Sequence, residues 1–105
     1  MKIKILQSAE SEIADGMDYY NKQYPGLGYE FATEIKKSIT AIKSYPKAWA
    51  KYHDDFRKCF VNRFPYAVLY ELREESIIIF AVMHLKMSPE NWKKRLKKYT
   101  IFGIK

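Results

Sequence analysis

His84 ends an almost unbroken apolar run, Ile77-Ile-Ile-Phe-Ala-Val-Met83, and the next eleven residues bring Lys86, Trp92, Lys93, Lys94 and Arg95. An imidazole titrates at about pH 6.5 when unperturbed, so a histidine where a strand passes from core to surface is placed to move protons. The plainer alternative is a histidine that satisfies a buried hydrogen bond at the strand end. The basic and aromatic side chains after it are of the types that hold phosphates and stack bases, and equally of the types that grip an acidic partner. Arg57, Arg63 and Arg73 lie earlier on the strand-like stretch; Arg57 and Arg63 are not grouped in one site.

Other chemistries are poorly supplied. The two histidines, His53 and His84, are 31 positions apart and Cys59 is alone, so no compact set of metal ligands is present and no metal or other cofactor is expected. A lone thiol in an apolar strand lacks an activating base and reads as structural. It forms no internal disulfide, which suits a reducing cytosol. Pro25-Gly-Leu-Gly28 has no strand before it and no Lys-Ser/Thr after it, so it reads as a turn and not as a phosphate loop.

The elements that must position these residues can be read in order. Lys2-Ile-Lys-Ile-Leu6 alternates as a half-buried strand does. Ser8 is placed to cap a helix whose stripe is Ala9, Ile13, Met17, Tyr20 and Tyr24, with Glu10 and Glu12 in its first turn. Gly16 weakens that helix by about 1 kcal/mol relative to Ala without breaking it. A second helix from Tyr29 to about Tyr45 carries Phe31, Ile35, Ile39 and Ile42 inward and Glu34, Lys36, Lys37 and Lys43 outward, and Pro46 stops it. The two helices should form an antiparallel hairpin. Residues 47–56 read as irregular. Strands are expected over 57–64, over 66–72 after a bend at Pro65, and over 77–83; the last, apolar on both faces, reads as central. Ser88 and Pro89 then open a short helix. The expected fold is α/β (α+β), a helical hairpin packed on a twisted antiparallel sheet in the order β-α-α-β-β-β with a short C-terminal helix.

Length and charge fit one domain over residues 1–105, with 48 % hydrophobic and 16 % aromatic residues to fill its core. The net charge is +7 and lies mostly in the second half: residues 51–105 carry twelve Lys/Arg against six acids, residues 1–50 seven against six. That field favours acidic or polyanionic partners, or else serves solubility. No apolar run reaches the length of about 18 residues that spans a membrane, and no membrane association is expected.

The residues resemble the RelE/ParE superfamily of toxins from type II toxin–antitoxin systems, and within it the ParE-like (plasmid stabilisation) branch. The resemblance rests on Ala14 and Tyr19-Tyr20, Pro25-Gly-Leu-Gly28 followed by Phe31, Pro46, Arg57, Arg63-Phe-Pro-Tyr-Ala-Val-Leu-Tyr70, Ile79-Phe-Ala-Val-Met-His84, Pro89, Trp92 and Arg95, and covers nearly the whole chain. It implies the helical hairpin on a sheet derived above, a cytoplasmic growth-inhibiting protein, and an acidic antitoxin partner in a toxin–antitoxin hetero-oligomer. Arg57, Arg73, Lys93 and Lys94 are the residues assigned to the antitoxin, and Arg63, Lys86, Trp92 and Arg95 those assigned to phosphate or target contact.

Two activities occur in that superfamily, and an inactive relative is the third reading. Ribonuclease members cut mRNA on the ribosome and stabilise the phosphate with arginines, one of them early in the strand that here reads Tyr66-Ala67; Ala67 stands in its place. Without it the transition state lacks several kcal/mol of stabilisation. ParE-like relatives instead bind DNA gyrase with no chemistry of their own, and that reading comes first. A ribosome-dependent ribonuclease would use His84 as acid or base, Arg63 and Lys86 on the phosphate and Trp92 as a stacking ring. A harmless relative would only bind an antitoxin-like peptide.

Overall fold

A computed structural model of the chain describes residues 1–88, 90, 91 and 93–95. Pro89, Trp92 and residues 96–105, to which the start of the last helix and a stacking ring were assigned, lie outside the described residues. The elements run β1 (Lys2–Ile5), α1 (Gln7–Gln23), α2 (Leu27–Ser44), β2 (Lys51–His53), β3 (Phe56–Phe60), β4 (Tyr66–Arg73) and β5 (Ser76–His84). Residues 90, 91 and 93–95 are helical, and Ser88 Oγ accepts the Asn91 N–H at 3.3 Å, as an N-cap does.

The five strands form one sheet in the order β1-β5-β4-β3-β2. It is mixed, not antiparallel throughout as expected: β1 pairs with β5 in parallel, Ile5 opposite Ile79. The α1–α2 hairpin returns the chain, so β3 to β5 can meander while β1 lies beside the last strand. β2 is a further correction, since three residues of no pattern pair with β3 through Lys51 and His53.

One apolar stripe from each helix covers one face of the sheet. Ala9, Tyr20, Phe31, Ile35 and Ile42 are buried there against Cys59, Val68, Tyr70, Ile77, Ile79 and Val82. Aromatic rings hold the hairpin to the start of β4: Phe31 lies 4.8 Å from Tyr66 and 5.4 Å from Phe64, and Tyr20 4.9 Å from Phe64, all edge-on. Tyr24 leaves the stripe and is exposed.

The two helices approach closely because glycines line the contact. A Cβ on Gly28 would stand 2.2 Å from the Met17 carbonyl oxygen, and one on Gly16 2.5 Å from Phe31 Cε2. Gly16 is therefore a packing residue and not a weak point in α1. Gly28 N–H also donates to Asn21 Oδ1 at 2.7 Å, which draws α2 back by two residues, to Leu27, from its expected start.

Several local expectations change. Leu6, not Ser8, is the N-cap of α1, with no side-chain bond; Ser8 Oγ instead donates to the Phe80 carbonyl at 3.3 Å. The third sheet strand, β3, stops at Phe60, and the chain turns through Arg63 at φ 71°, the turn being spanned by the bond from Val61 N–H to the Tyr66 carbonyl. Glu34, assigned to the wet face of α2, is 5 % exposed.

Candidate functional site

A bulge decides where His84 points. In β5, Tyr70 of β4 stands opposite Ile79 but Leu69 stands opposite Ala81, so Phe80 is an extra residue. Ile77 and Ile79 pack under the helices; Phe80, Ala81 and Met83 all pack on the other face, and Val82 returns to the helix side. Strict alternation from Ile77 would have sent His84 away from the helices. With the bulge it lies beside Tyr66, the ring centroids 5.0 Å apart and edge-on.

His84 then borders a groove of about 370 Å³ between α1 and the ends of β4 and β5, lined by Glu12, Asp15, Tyr19, Tyr66, Val82, Met83 and Met87. His84 Nδ1 accepts the Lys86 backbone N–H at 3.0 Å, which leaves the proton of the neutral ring on Nε2. The Tyr66 phenol is pushed up by burial, and further by Tyr20, Tyr19 and Glu12 nearby. That shift keeps the phenol protonated, so it is not placed to act as a base.

Glu12 is the hub of the site. Its Oε1 accepts the Val82 N–H at 3.0 Å, and Arg95 donates to both of its carboxylate oxygens. Arg95 also lies over the Phe80 ring, 5.4 Å from its centroid. One carboxylate so joins α1, β5 and the helical residues near 95.

The other predicted residues separate. Arg63 bonds Glu30 on α2 at 2.8 Å and lies 3.8 Å from Glu34. Arg57 donates to the Trp49 carbonyl at 2.6 Å and holds the segment before β2. Arg73 bonds the buried Glu71. Lys86, Lys93 and Lys94 are exposed, and Trp92 lies outside the described residues. Four arginines assigned to a phosphate or a partner thus each bond an acceptor of the chain itself. Among the described residues of the predicted set, His84 and Lys86 meet at the end of β5 and Arg95 reaches the same region through Glu12.

Cys59 is buried, and burial raises its thiol against a smaller opposing hydrogen bond from Ser38. No group of three or more His, Cys, Asp or Glu side chains converges as metal ligands among the described residues. Among the same residues no helix is long and apolar enough to cross a membrane.

The family model described as "ParE toxin of type II toxin-antitoxin system, parDE" matches residues 3–89. The chain belongs to the ParE toxin family. It is thus a ParE-type toxin of a type II toxin–antitoxin system. A solved structure described as the chromosomal ParDE TA system from P. aeruginosa superposes with a TM-score of 0.72 at 15 % identity, covering 80 % of this chain and 95 % of that one. At that identity the likeness shows the fold. Comparison with curated proteins gives no match.

Glu12, Asp15 and Tyr19 were not singled out as site residues in the sequence. Glu12 looked like a first-turn helix acid, and Tyr19 like one half of a Tyr-Tyr pair. Their common signal is position: 12, 15 and 19 lie at helical spacing beside the buried stripe of α1.

Proposed function

We propose that this toxin inhibits growth by binding DNA gyrase in the cytoplasm, without chemistry of its own, and that a cognate acidic antitoxin neutralises it in a hetero-oligomer. The observation that carries the reading is the setting of His84. Its groove holds two carboxylates, Glu12 and Asp15, and one of them already takes Arg95. A scissile phosphate entering there would meet like charge where its transition state needs cations. The arginine a ribonuclease would use on the phosphate, Arg63, instead bonds Glu30. Exposed Lys86, Lys93 and Lys94 offer the antitoxin a basic face whose attraction weakens with salt. Residues 1–105 act as one domain in this reading.

The test is ATP-dependent supercoiling of relaxed plasmid by purified gyrase with increasing amounts of the protein. Loss of supercoiling is expected. Unchanged supercoiling at a large molar excess overturns the proposal, and in-frame cuts in an mRNA on translating ribosomes would replace it with the ribonuclease reading.

A further inference from the structure

The groove beside His84 has features that gyrase binding and antitoxin attraction leave unused. Asp15 is exposed and has no hydrogen bond or ion pair among the described residues. Glu12, by contrast, is committed to Val82 and Arg95. Arg95 pairs with Glu12, which leaves Asp15 as the carboxylate of the groove without a partner among the described residues.

Two rings stand with that charge. Tyr19 is 57 % exposed and braced edge-on against Tyr20 at 5.1 Å; Tyr66 is braced by His84. Each therefore has a ring edge-on beside it and a face left for a ligand. Val82, Met83 and Met87 add an apolar side. A carboxylate, two aromatic rings and an apolar wall match a planar cation on an apolar stem. A guanidinium forms bidentate bonds to a carboxylate and stacks on aromatic faces, whereas an ammonium does neither as well. The uncommitted Asp15 carboxylate disfavours a phosphate or carboxylate beside it. The groove is also open to solvent, which suits one side chain of a docked segment and not a small molecule that must be mostly enclosed.

We propose that this groove is a binding site for one arginine side chain, presented by a protein partner. It fixes the register of a segment whose remaining contacts lie elsewhere. The proposal does not rest on gyrase being the target.

The test uses the full chain, isotope-labelled, and two capped pentapeptides, Gly-Leu-Arg-Met-Gly and the same peptide with neutral citrulline for arginine. Backbone amide shifts at Asp15, Tyr19, Val82 and His84 report binding. The arginine peptide is expected to saturate with a Kd of about 1 mM, near −4 kcal/mol. Citrulline should bind at least tenfold more weakly, and Asp15→Asn and Tyr19→Leu should each weaken the arginine peptide severalfold. Both positions are exposed, and the dispersion of the spectra reports that the variants are folded. Equal affinity for the two peptides, shifts centred elsewhere, an unaffected Asp15→Asn variant, or no saturating shift at about 10 mM peptide would each overturn the proposal.

Discussion

The Glu12 carboxylate accepts the Val82 backbone N–H at 3.0 Å, in the position a neighbouring strand would occupy. The β1 ladder on that side of β5 ends where Leu6 N–H meets the Ile79 carbonyl. Beyond it, Ser8 takes the Phe80 carbonyl and Glu12 takes Val82. Side chains of α1 thus continue a ladder that the strand leaves unfinished, and the bulged residues of β5 stay hydrogen-bonded at their edge.

Removing that carboxylate should separate two effects. Glu12→Ala leaves the Val82 N–H, in a residue 1 % exposed, without its acceptor, at a cost of about 2 kcal/mol. Glu12→Gln keeps an acceptor and loses the ion pair with Arg95, at about 1 kcal/mol or less. Urea unfolding of the two variants measures the difference. Equal losses would show that the amide bond contributes nothing.

Gly28→Ala should be among the more damaging small substitutions. The new methyl would meet backbone, the Met17 carbonyl, at 2.2 Å, and backbone cannot rotate away. Overpacking of this kind costs about 1–3 kcal/mol, or roughly 4–8 °C of Tm per kcal/mol in a domain near this size. A melt within a degree of the parent would mean that the helices part easily.

Alkaline pH should destabilise the fold through Tyr70. Its hydroxyl donates to the Pro46 carbonyl at 2.6 Å, and burial pushes its pKa up to about 12 from the model-compound value of 10.0. The folded state therefore holds the phenolic proton more tightly than the unfolded chain. Its contribution is complete below pH 10 and declines as pH rises toward 12. Urea midpoints across that window should fall, and fall less steeply in Tyr70→Phe. Parallel slopes would remove Tyr70 as the cause.

Arg63 should reverse an ordinary preference. At φ 71° an alanine retains a strain of about 1 kcal/mol that glycine does not carry. Both substitutions lose the solvent-screened ion pair with Glu30 alike, so it drops out of the comparison. Arg63→Gly is thus expected to be at least as stable as Arg63→Ala in chemical denaturation. A clearly more stable alanine variant would place this backbone outside the left-handed region.

What could be read in advance follows from how far each signal reaches along the chain. Phe31, Ile35 and Ile42 announced α2, and the run from Ile77 to Met83 announced a central strand, because helical spacing and unbroken apolarity are local. The alternation of Lys2 to Ile5 announced a strand but not its partner, since pairing with β5 depends on how the hairpin folds back. β2 carries no pattern in its three residues. Glu34 looked solvated because its partner Arg63 is brought to it by a left-handed turn whose residue, an arginine, gives no hint of φ. At the site, His84 was legible as a strand end. Its neighbours were not: the Phe80 bulge changes the face it occupies, and Glu12, Asp15 and Tyr19 come from the first helix.

The parallel pairing of Lys2 with Ser76 joins two points 74 residues apart. Closing a loop of that length costs about 4 kcal/mol of chain entropy beyond a constant term, and such long-range pairing slows folding. During synthesis β1 emerges first and waits, without its neighbour, until β5 has left the ribosome. The groove beside His84 also needs both α1 and the end of β5. A nascent chain that stops short of His84 therefore has neither a closed sheet nor that groove, and the ability to engage anything there arrives only with the end of β5.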